Sequence, residues 1–182
     1  ILLLESQVER CNQILKKLSL DPNQEDDFID EDLSMKDYLK EIIFSFQETS
    51  SKHFILNFDQ NSKSKQITKS IEIVYGMRNF IGNAIKFSKS KVNIFLISDE
   101  KEIKIVVNDD GPGFPKDIIA KLGEPYIKSR SLELNSNSGL GLGTFLGKTL
   151  LERQNAKLLF KDDKNLGGAS VVISWSPKNI LL

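Results

Sequence analysis

The chain has 182 residues, of which 40% are hydrophobic and 27% charged, a composition typical of a folded globular protein. Lys+Arg and Asp+Glu number 25 each. This balance lacks the basic excess of a nucleic-acid-binding protein, so we expect no nucleic-acid partner. The single cysteine, Cys11, excludes an internal disulfide and a multi-thiolate metal site, and it fits a reducing cytoplasmic setting.

The N-terminus indicates a fragment of a longer protein. The chain begins with Ile1 rather than Met, and no basic stretch precedes its first apolar run, Ile1–Leu4. Apolar runs of this length are far shorter than the roughly 20 residues that cross a bilayer. We therefore expect any membrane anchor to lie upstream of this chain.

Residues 1–19 carry a heptad-like pattern, and residues 20–33 form an acidic linker. The apolar positions of the pattern, spaced by three and four, are Ile1, Leu4, Val8, Cys11, Leu15 and Leu18. Either a single amphipathic helix that packs on its own domain or one half of a dimerisation hairpin explains this pattern. The linker has seven acidic residues and no basic one between Asp21 and Asp32.

Residues 34–178 are predicted to form one α+β domain, a two-layer α/β sandwich with a mixed sheet. In chain order, the expected elements are a helix Met35–Glu48, a strand His53–Phe58, a short strand Gln66–Thr68, a helix Ser70–Phe87, two strands Lys91–Ile97 and Glu102–Asn108, a short helix Pro115–Leu122, a polar loop Gly123–Ser138, a helix Leu140–Arg153, and two strands Lys157–Phe160 and Ala169–Trp175. The inward positions expected on the central helix are Val74, Met77, Ile81, Ala84 and Ile85.

Two glycine clusters stand out. Asp109–Phe114 follows a predicted strand, and Ser138–Thr144 precedes a predicted helix. Glycine permits close approach of the backbone to a ligand, and amides at a helix start bind anions. A Rossmann fingerprint fails because Thr144 replaces the last glycine and no strand precedes the cluster. A Walker motif fails because neither cluster ends in Gly-Lys-Ser/Thr. Taken alone, each cluster is also compatible with a structural turn.

A polar stripe runs along the central helix. Asn79, Asn83 and Lys86 are spaced by four and three residues, which places them on one face. Asparagine oxygens are hard neutral ligands that suit Mg²⁺, and an ammonium suits phosphate. Taken alone, the same stripe is also compatible with a solvent-facing helix surface.

Together these three elements resemble the sensor histidine kinases. Arg78–Phe87 is similar to their asparagine box, Asp109–Phe114 to their first glycine box and Gly139–Gly143 to their second, in the family's order and spacing. The resemblance spans about Met35 to Pro177 and implies the Bergerat ATP-binding fold. It extends weakly to the N-terminal segment, which resembles the second helix of the dimerisation and phosphotransfer hairpin.

Two further phrases resemble the redox-responsive RegB/PrrB type of these kinases, Gly123–Tyr126 and Lys148–Arg153. A redox role for Cys11 would require an exposed thiol of low pKa. As an apolar seam residue, Cys11 is more typical of ordinary packing.

On the adenine side, the resemblance implies that Asp109 accepts a hydrogen bond from the adenine amino group. Strand parity supports this, because Asp109 shares a face with Ile105 and Val107 while Asp110 points away. The other residues implied to contact the base are Gly111, Gly113, Phe87, Ile118 and Leu142.

On the phosphate side, the resemblance implies that Asn83 coordinates Mg²⁺, with Asn79 as a second ligand, and that Lys86 contacts the phosphates. The helix start that would present amides to the phosphates comprises Gly139, Leu140, Gly141, Leu142, Gly143 and Thr144. The intervening loop would be the ATP lid, with Tyr126 as its anchor and with Lys128 and Arg130 as candidates for reaching the γ-phosphate.

The implied reaction is transfer of the ATP γ-phosphoryl group to a histidine. Related ATPases of the fold have a glutamate four residues before the magnesium asparagine, whereas this chain has Asn79, an amide without useful basicity. This favours phosphotransfer over hydrolysis. The alternatives are an ATP hydrolase or a serine kinase of the same fold, and a binding module that has lost catalysis, against which the intact asparagine face and both glycine boxes argue. The only histidine, His53, lacks phosphoacceptor surroundings, so the acceptor is expected upstream.

The resemblance also implies partners and a location. The partners would be the receiver domain of a response regulator and the protein's own dimerisation and phosphotransfer domain, in a full-length homodimer. The chain would then be a cytoplasmic domain of a bacterial inner-membrane sensor.

Overall fold

The sheet and its helices are seen in a computed structural model, which describes residues 34–47, 49–59, 67, 70–125 and 142–180. All of these residues lie within one unit of the chain, Glu31–Leu182. The predicted N-terminal helix, the acidic linker and the segment 126–141 lie outside the described residues. Within the described ranges, no helix is both long and apolar enough to cross a membrane.

The domain is built on a five-stranded mixed sheet. Its strands are β1 (His53–Phe58), β2 (Lys91–Ser98), β3 (Ile103–Asp109), β4 (Lys157–Asp162) and β5 (Ala169–Trp175). Their spatial order is β1-β2-β3-β5-β4. β1 pairs with β2 in parallel, and all other neighbours are antiparallel. The central position of β3 places its last residue, Asp109, near the middle of one sheet edge.

Within the described residues, three α-helices accompany the sheet: α1 (Met35–Gln47), α2 (Ile71–Phe87) and α3 (Leu142–Arg153). The hydroxyl of Ser70 caps α2 by accepting a hydrogen bond from the Ile73 amide at 3.2 Å. The helix ends at Phe87 because Ser88 adopts an extended conformation. α2 packs on β2 and β3, and α3 packs on α2 and β4.

The hydrophobic core lies between α2 and one face of the sheet. In β3, the side chains of Ile103, Ile105 and Val107 are buried, and Asp109 continues this face. Other fully buried large side chains are Leu39, Ile73, Met77, Phe80, Ile81, Ile94, Leu151, Ile173 and Trp175. Burial of this much apolar surface is the main stabilising contribution to the fold.

Two glycines allow α2 and α3 to approach closely. A side-chain carbon at Gly76 of α2 would overlap Leu151 of α3. A side-chain carbon at Gly147 of α3 would lie 3.0 Å from the Cβ of Asn79 and from the ring of Phe80. The helix pair therefore brings the polar stripe of α2 against the first turns of α3.

The predicted α+β two-layer architecture is confirmed, and most of its elements are present. His53–Phe58 and Ala169–Trp175 agree residue for residue, and the other strands differ by one or two residues at their ends. Of the predicted short strand, Ile67 forms a single bridge residue, while Gln66 and Thr68 lie outside the described residues.

Two details of the prediction are wrong. On α2, Met77, Ile81 and Ala84 are buried as predicted, but Val74 and Ile85 are only half-buried, because Ile73 and Phe80 take the inward positions. The predicted helix Pro115–Leu122 is a turn followed by one 3₁₀ turn, Ile119–Lys121. Gly123 follows the last residue of the predicted helix, Leu122, and has φ +87°. A right-handed helix cannot continue through this conformation.

Candidate nucleotide site

Asp109 is a buried carboxylate at the end of β3. Its side chain is 4% exposed. Its Oδ1 accepts hydrogen bonds from the amides of Gly111 at 2.8 Å and Ala169 at 3.2 Å. These two bonds hold the carboxylate between the turn after β3 and the start of β5. Its burial agrees with the strand parity, which placed Asp109 on the face of Ile105 and Val107.

The surroundings of Asp109 raise its pKa above the ordinary value of a carboxyl group. Burial is the main cause because it disfavours the charged form, and the nearby carboxylates Asp110 and Asp163 add to it. The amide hydrogen bonds from Gly111 and Ala169 act in the opposite direction. In its ionised form, this carboxylate is a strong acceptor for a donor group of a ligand.

The first glycine cluster wraps closely around Asp109. A side-chain carbon at Gly111 would overlap the carbonyl oxygen of Phe87, so the turn touches the end of α2. Gly113 has φ +78°, which an L side chain rarely adopts. The Phe114 amide donates a hydrogen bond to Asp162 Oδ1 at 3.1 Å, and this bond fixes the far end of the turn to β4.

Gly168 packs directly against Asp109, a contact that the sequence interpretation did not predict. A side-chain carbon there would overlap the carbonyl oxygen and Oδ1 of Asp109 and would lie 2.6 Å from the Gly111 amide nitrogen. The signal in the sequence was the pair Gly167–Gly168 between two predicted strands. The sequence patterns also predict no role for Ala169, although its amide donates a hydrogen bond to Asp109.

The polar stripe of α2 faces the start of α3. Asn79 Nδ2 donates to the Tyr75 carbonyl oxygen at 2.8 Å, and Asn83 Nδ2 donates to Thr144 Oγ1 at 3.3 Å. A side-chain carbon at Gly143 would lie 3.5 Å from Asn79 Oδ1 and 3.9 Å from Asn83 Oδ1. Asn83 Nδ2 would lie 4.0 Å from the same carbon, so the side-chain amides of Asn79 and Asn83 both border one space, a cradle that the missing side chain of Gly143 leaves open.

This cradle is suited to a hard divalent cation that is bound by protein oxygens on one side and by phosphate oxygens on the other. Neutral amide oxygens suit Mg²⁺, which commonly takes few protein ligands. In the described part of the chain, no three His, Cys, Asp or Glu side chains come together as a metal site.

Lys86 is the last residue of the polar stripe, and Phe87 is the last residue of α2. The ammonium of Lys86 lies 5.3 Å from the centre of the Phe87 ring, a cation–π distance. Phe87 is 40% exposed, which is unusual for a large apolar side chain.

The other predicted site residues divide into two groups. Ile118 and Leu142 are half-buried, one before the 3₁₀ turn and the other as the first residue of α3. The remaining residues lie outside the described ranges: Tyr126, Lys128, Arg130, Gly139, Leu140 and Gly141.

Comparison with known proteins identifies the fold and the family. The chain is 32% identical over 166 residues to the sensor histidine kinase RegB of Cereibacter sphaeroides, a match that covers 87% of this chain and 36% of RegB. The mycobacterial sensor histidine kinase MprB superposes with a TM-score of 0.65 at 20% identity, over 80% of this chain and 97% of that structure. The ATP-binding domain of PrrB from Mycobacterium tuberculosis superposes with a TM-score of 0.60 at 18% identity, over 81% and 98%.

The chain thus spans about a third of the length of RegB. The resemblance to sensor histidine kinases, and within them to RegB, is confirmed by these similarities. Residues 68–179, more than half of the chain, match the family described as histidine kinase-, DNA gyrase B- and HSP90-like ATPases. This chain is therefore an ATP-binding domain that belongs to that family.

Proposed function

We propose that the chain is the catalytic domain of a sensor histidine kinase. It binds ATP with Mg²⁺ and transfers the γ-phosphoryl group to a histidine upstream of this segment, from which the group passes to a response regulator. The observation that carries the proposal is the pair of amide oxygens, Asn79 Oδ1 and Asn83 Oδ1, that face the start of α3 at Gly143.

This pair favours phosphotransfer over hydrolysis. Hydrolysis needs a group that takes a proton from water, and a carboxamide has no useful basicity. Asn79 also commits its NH₂ group to the Tyr75 carbonyl oxygen at 2.8 Å, which turns its oxygen toward the cradle. Transfer to an imidazole needs no such base, because the ring nitrogen attacks with its own lone pair, and catalysis consists of positioning and charge neutralisation.

On the adenine side, we assign recognition of the amino group to Asp109. Its Oδ1 is already engaged by two amides, so its orientation is set before a ligand arrives. Phe87 flanks the base with its exposed ring, and Ile118 and Leu142 add apolar walls. Gly111 and Gly113, which have no side chains, let the backbone approach the base closely.

On the phosphate side, Asn83 is the first Mg²⁺ ligand and Asn79 the second, while Lys86 neutralises phosphate charge. The metal would neutralise charge between the phosphates. The helix start Gly139–Thr144 would offer amides to the phosphate oxygens. Lys128 and Arg130 are proposed to reach the γ-phosphate, with Tyr126 as anchor of the lid that carries them.

The proposed organisation of the chain follows from the same similarity. Residues 1–19 are the second helix of the dimerisation and phosphotransfer hairpin, 20–33 the acidic linker and 34–178 the catalytic domain. The whole protein would be a homodimer anchored in the inner membrane, with this part on the cytoplasmic side. Its partners are its own phosphotransfer domain and a receiver domain.

The test is a titration of a non-hydrolysable ATP analogue by calorimetry, with and without Mg²⁺. We expect Asn83→Ala to lose the magnesium-dependent share of the affinity and to keep the remainder. Asn165→Ala, an exposed asparagine in the turn between β4 and β5, serves as a control and should behave like the unsubstituted chain. Equal magnesium dependence in Asn83→Ala and the unsubstituted chain would remove Asn83 from the metal site.

The second arm follows radioactive phosphate. Incubation of the chain alone with γ-labelled ATP should label no residue, because the acceptor histidine lies upstream. Stable label on His53, label on serine, or rapid release of inorganic phosphate would contradict histidine phosphotransfer and favour a serine kinase or a hydrolase.

A further inference from the structure

The turn that joins α2 to β2 is held by two side chains that have no assigned role, Lys52 and Asp110. The Lys52 ammonium donates to the carbonyl oxygens of Ser88 at 2.8 Å and Lys89 at 2.7 Å. Asp110 Oδ1 accepts from the amides of Lys89 at 2.8 Å, Ser90 at 3.0 Å and Lys91 at 3.0 Å. Asp110 Oδ2 accepts from the Ser90 hydroxyl at 2.8 Å.

Every backbone polar group of residues 88–91 has a partner. Three backbone hydrogen bonds complete the set. The Ser88 amide donates to the Ala84 carbonyl oxygen, the His53 amide donates to the Ser90 carbonyl oxygen, and the Asp110 amide donates to the Lys91 carbonyl oxygen. Complete pairing of this kind is expected in a protein interior. It is unusual in a turn whose residues Lys89 and Ser90 are exposed, where water could serve instead. The turn 88–91 is therefore fixed by protein hydrogen bonds at each of its backbone polar groups.

The place of this turn connects it to the nucleotide site. It follows directly on Lys86 and Phe87, and the Phe87 carbonyl oxygen touches Gly111. Asp110 is the neighbour of Asp109, and the two carboxylates have different partners: Asp109 accepts from the Gly111 and Ala169 amides, and Asp110 accepts from the turn 88–91. Asp110 therefore ties the end of β3, which carries the proposed adenine acceptor, to the end of α2, which carries the proposed phosphate contacts.

We propose that Lys52 and Asp110 are positioning residues for nucleotide binding, which set the distance between Asp109 and the asparagine–lysine stripe of α2. This inference rests on the proposed function. Neither residue touches the nucleotide. They act by fixing the turn 88–91, so that one ligand meets both halves of the site without a rearrangement.

The experiment compares Asp110→Ala with a matched control in the 182-residue chain. Asp99 accepts amide hydrogen bonds from Lys101 at 2.7 Å and Glu102 at 2.8 Å in the exposed turn between β2 and β3, at the other end of these strands. Asp99→Ala also removes a carboxylate that accepts amide hydrogen bonds in an exposed turn, but this turn is away from the proposed site. Urea unfolding shows whether both variants fold, and calorimetry gives their affinities for a non-hydrolysable ATP analogue and for adenosine.

We expect Asp110→Ala to weaken binding of the ATP analogue by roughly tenfold, the usual scale for losing a hydrogen-bonded charge. Adenosine should lose less, because it does not reach the phosphate contacts on α2. A general loss of stability would weaken both ligands alike. Asp110→Asn keeps one acceptor oxygen for the three amides and should recover most of the affinity, and Lys52→Met should resemble Asp110→Ala.

Equal affinities of Asp110→Ala and Asp99→Ala for the ATP analogue would overturn the inference. An equal loss for adenosine and the ATP analogue would do so too. Failure of the unsubstituted chain to bind the analogue is a separate result, because it refutes the proposed function itself and the inference with it.

Discussion

Replacement of Asp109 by asparagine should separate folding from nucleotide binding. The asparagine oxygen can keep both amide hydrogen bonds that Oδ1 now accepts, from Gly111 and Ala169. The second oxygen becomes an NH₂ group, which donates instead of accepting and therefore faces the adenine amino group donor to donor. The change is nearly isosteric, so the packing around the side chain is preserved.

The two expected effects have opposite signs. The charged form of Asp109 is disfavoured by burial, so the neutral amide should leave the free energy of unfolding at pH 7 unchanged or raise it. Binding loses a hydrogen bond to a charged acceptor, about 1.5–3 kcal/mol, and leaves a donor without a partner at a cost of about 1–3 kcal/mol. Together these correspond to a loss of affinity of roughly a hundredfold or more.

Calorimetry with a non-hydrolysable ATP analogue measures the affinity, and urea unfolding measures the stability. Asp99→Asn is the matched control, since it neutralises an exposed turn carboxylate and should leave binding unaffected. If Asp109→Asn bound the analogue as tightly as the unsubstituted chain, Asp109 would not be the group that reads the adenine. If it bound weakly only because it was unfolded, the assignment would have no support from this variant.

Three further predictions concern the glycine contacts, pH and the cap of α2. Gly168→Ala pushes a methyl group onto the backbone of Asp109 and should lower stability by about 1–3 kcal/mol and weaken ATP binding. Its control is Gly82→Ala, where the new carbon meets Phe46 at an ordinary 3.5 Å and should improve the helix, and similar behaviour of the two variants would contradict the packing argument. Because the pKa of Asp109 is raised in the folded state, its contribution to the free energy of unfolding falls as pH rises from the ordinary carboxyl value through the raised one. Affinity for the ATP analogue should rise over the same pH interval, because the carboxylate ionises. If the affinity of Asp109→Asn still fell at low pH, another group would be responsible for this pH dependence. Ser70→Ala removes the N-cap of α2 and should cost about 1 kcal/mol in urea unfolding with little effect on binding affinity, whereas a large loss of affinity would show that the cap also positions the asparagines.

Local patterns in the sequence were sufficient to predict most elements and part of the site. Alternation in β3 predicted that Asp109 would share the buried face with Ile105 and Val107, because side chains alternate strictly along a strand. Helical spacing placed Asn79 and Asn83 on one face of α2, and both now face Gly143. These relations depend only on the period of a single element.

Predictions failed where two elements compete for one residue. The inward face of α2 was read as a single stripe, but the helix packs on the sheet and on α3, and Phe80 is drawn into the second contact beside Gly147. The helix predicted at Pro115 was reduced to one 3₁₀ turn before Gly123, a residue with positive φ. The helix or strand propensity of a segment gives no information on how neighbouring elements pack against it.

The sequence by itself determined the three motifs, their order and the residue types that they bring to the site. Only the tertiary structure revealed that Gly168 and the Ala169 amide complete the setting of Asp109, and that Lys52 and Asp110 hold the turn after α2. These contacts join residues from 19 to 60 positions apart in the chain. A periodic pattern reports the neighbours of a residue along one helix or strand, whereas contacts between strand ends and turns depend on how the whole sheet is ordered.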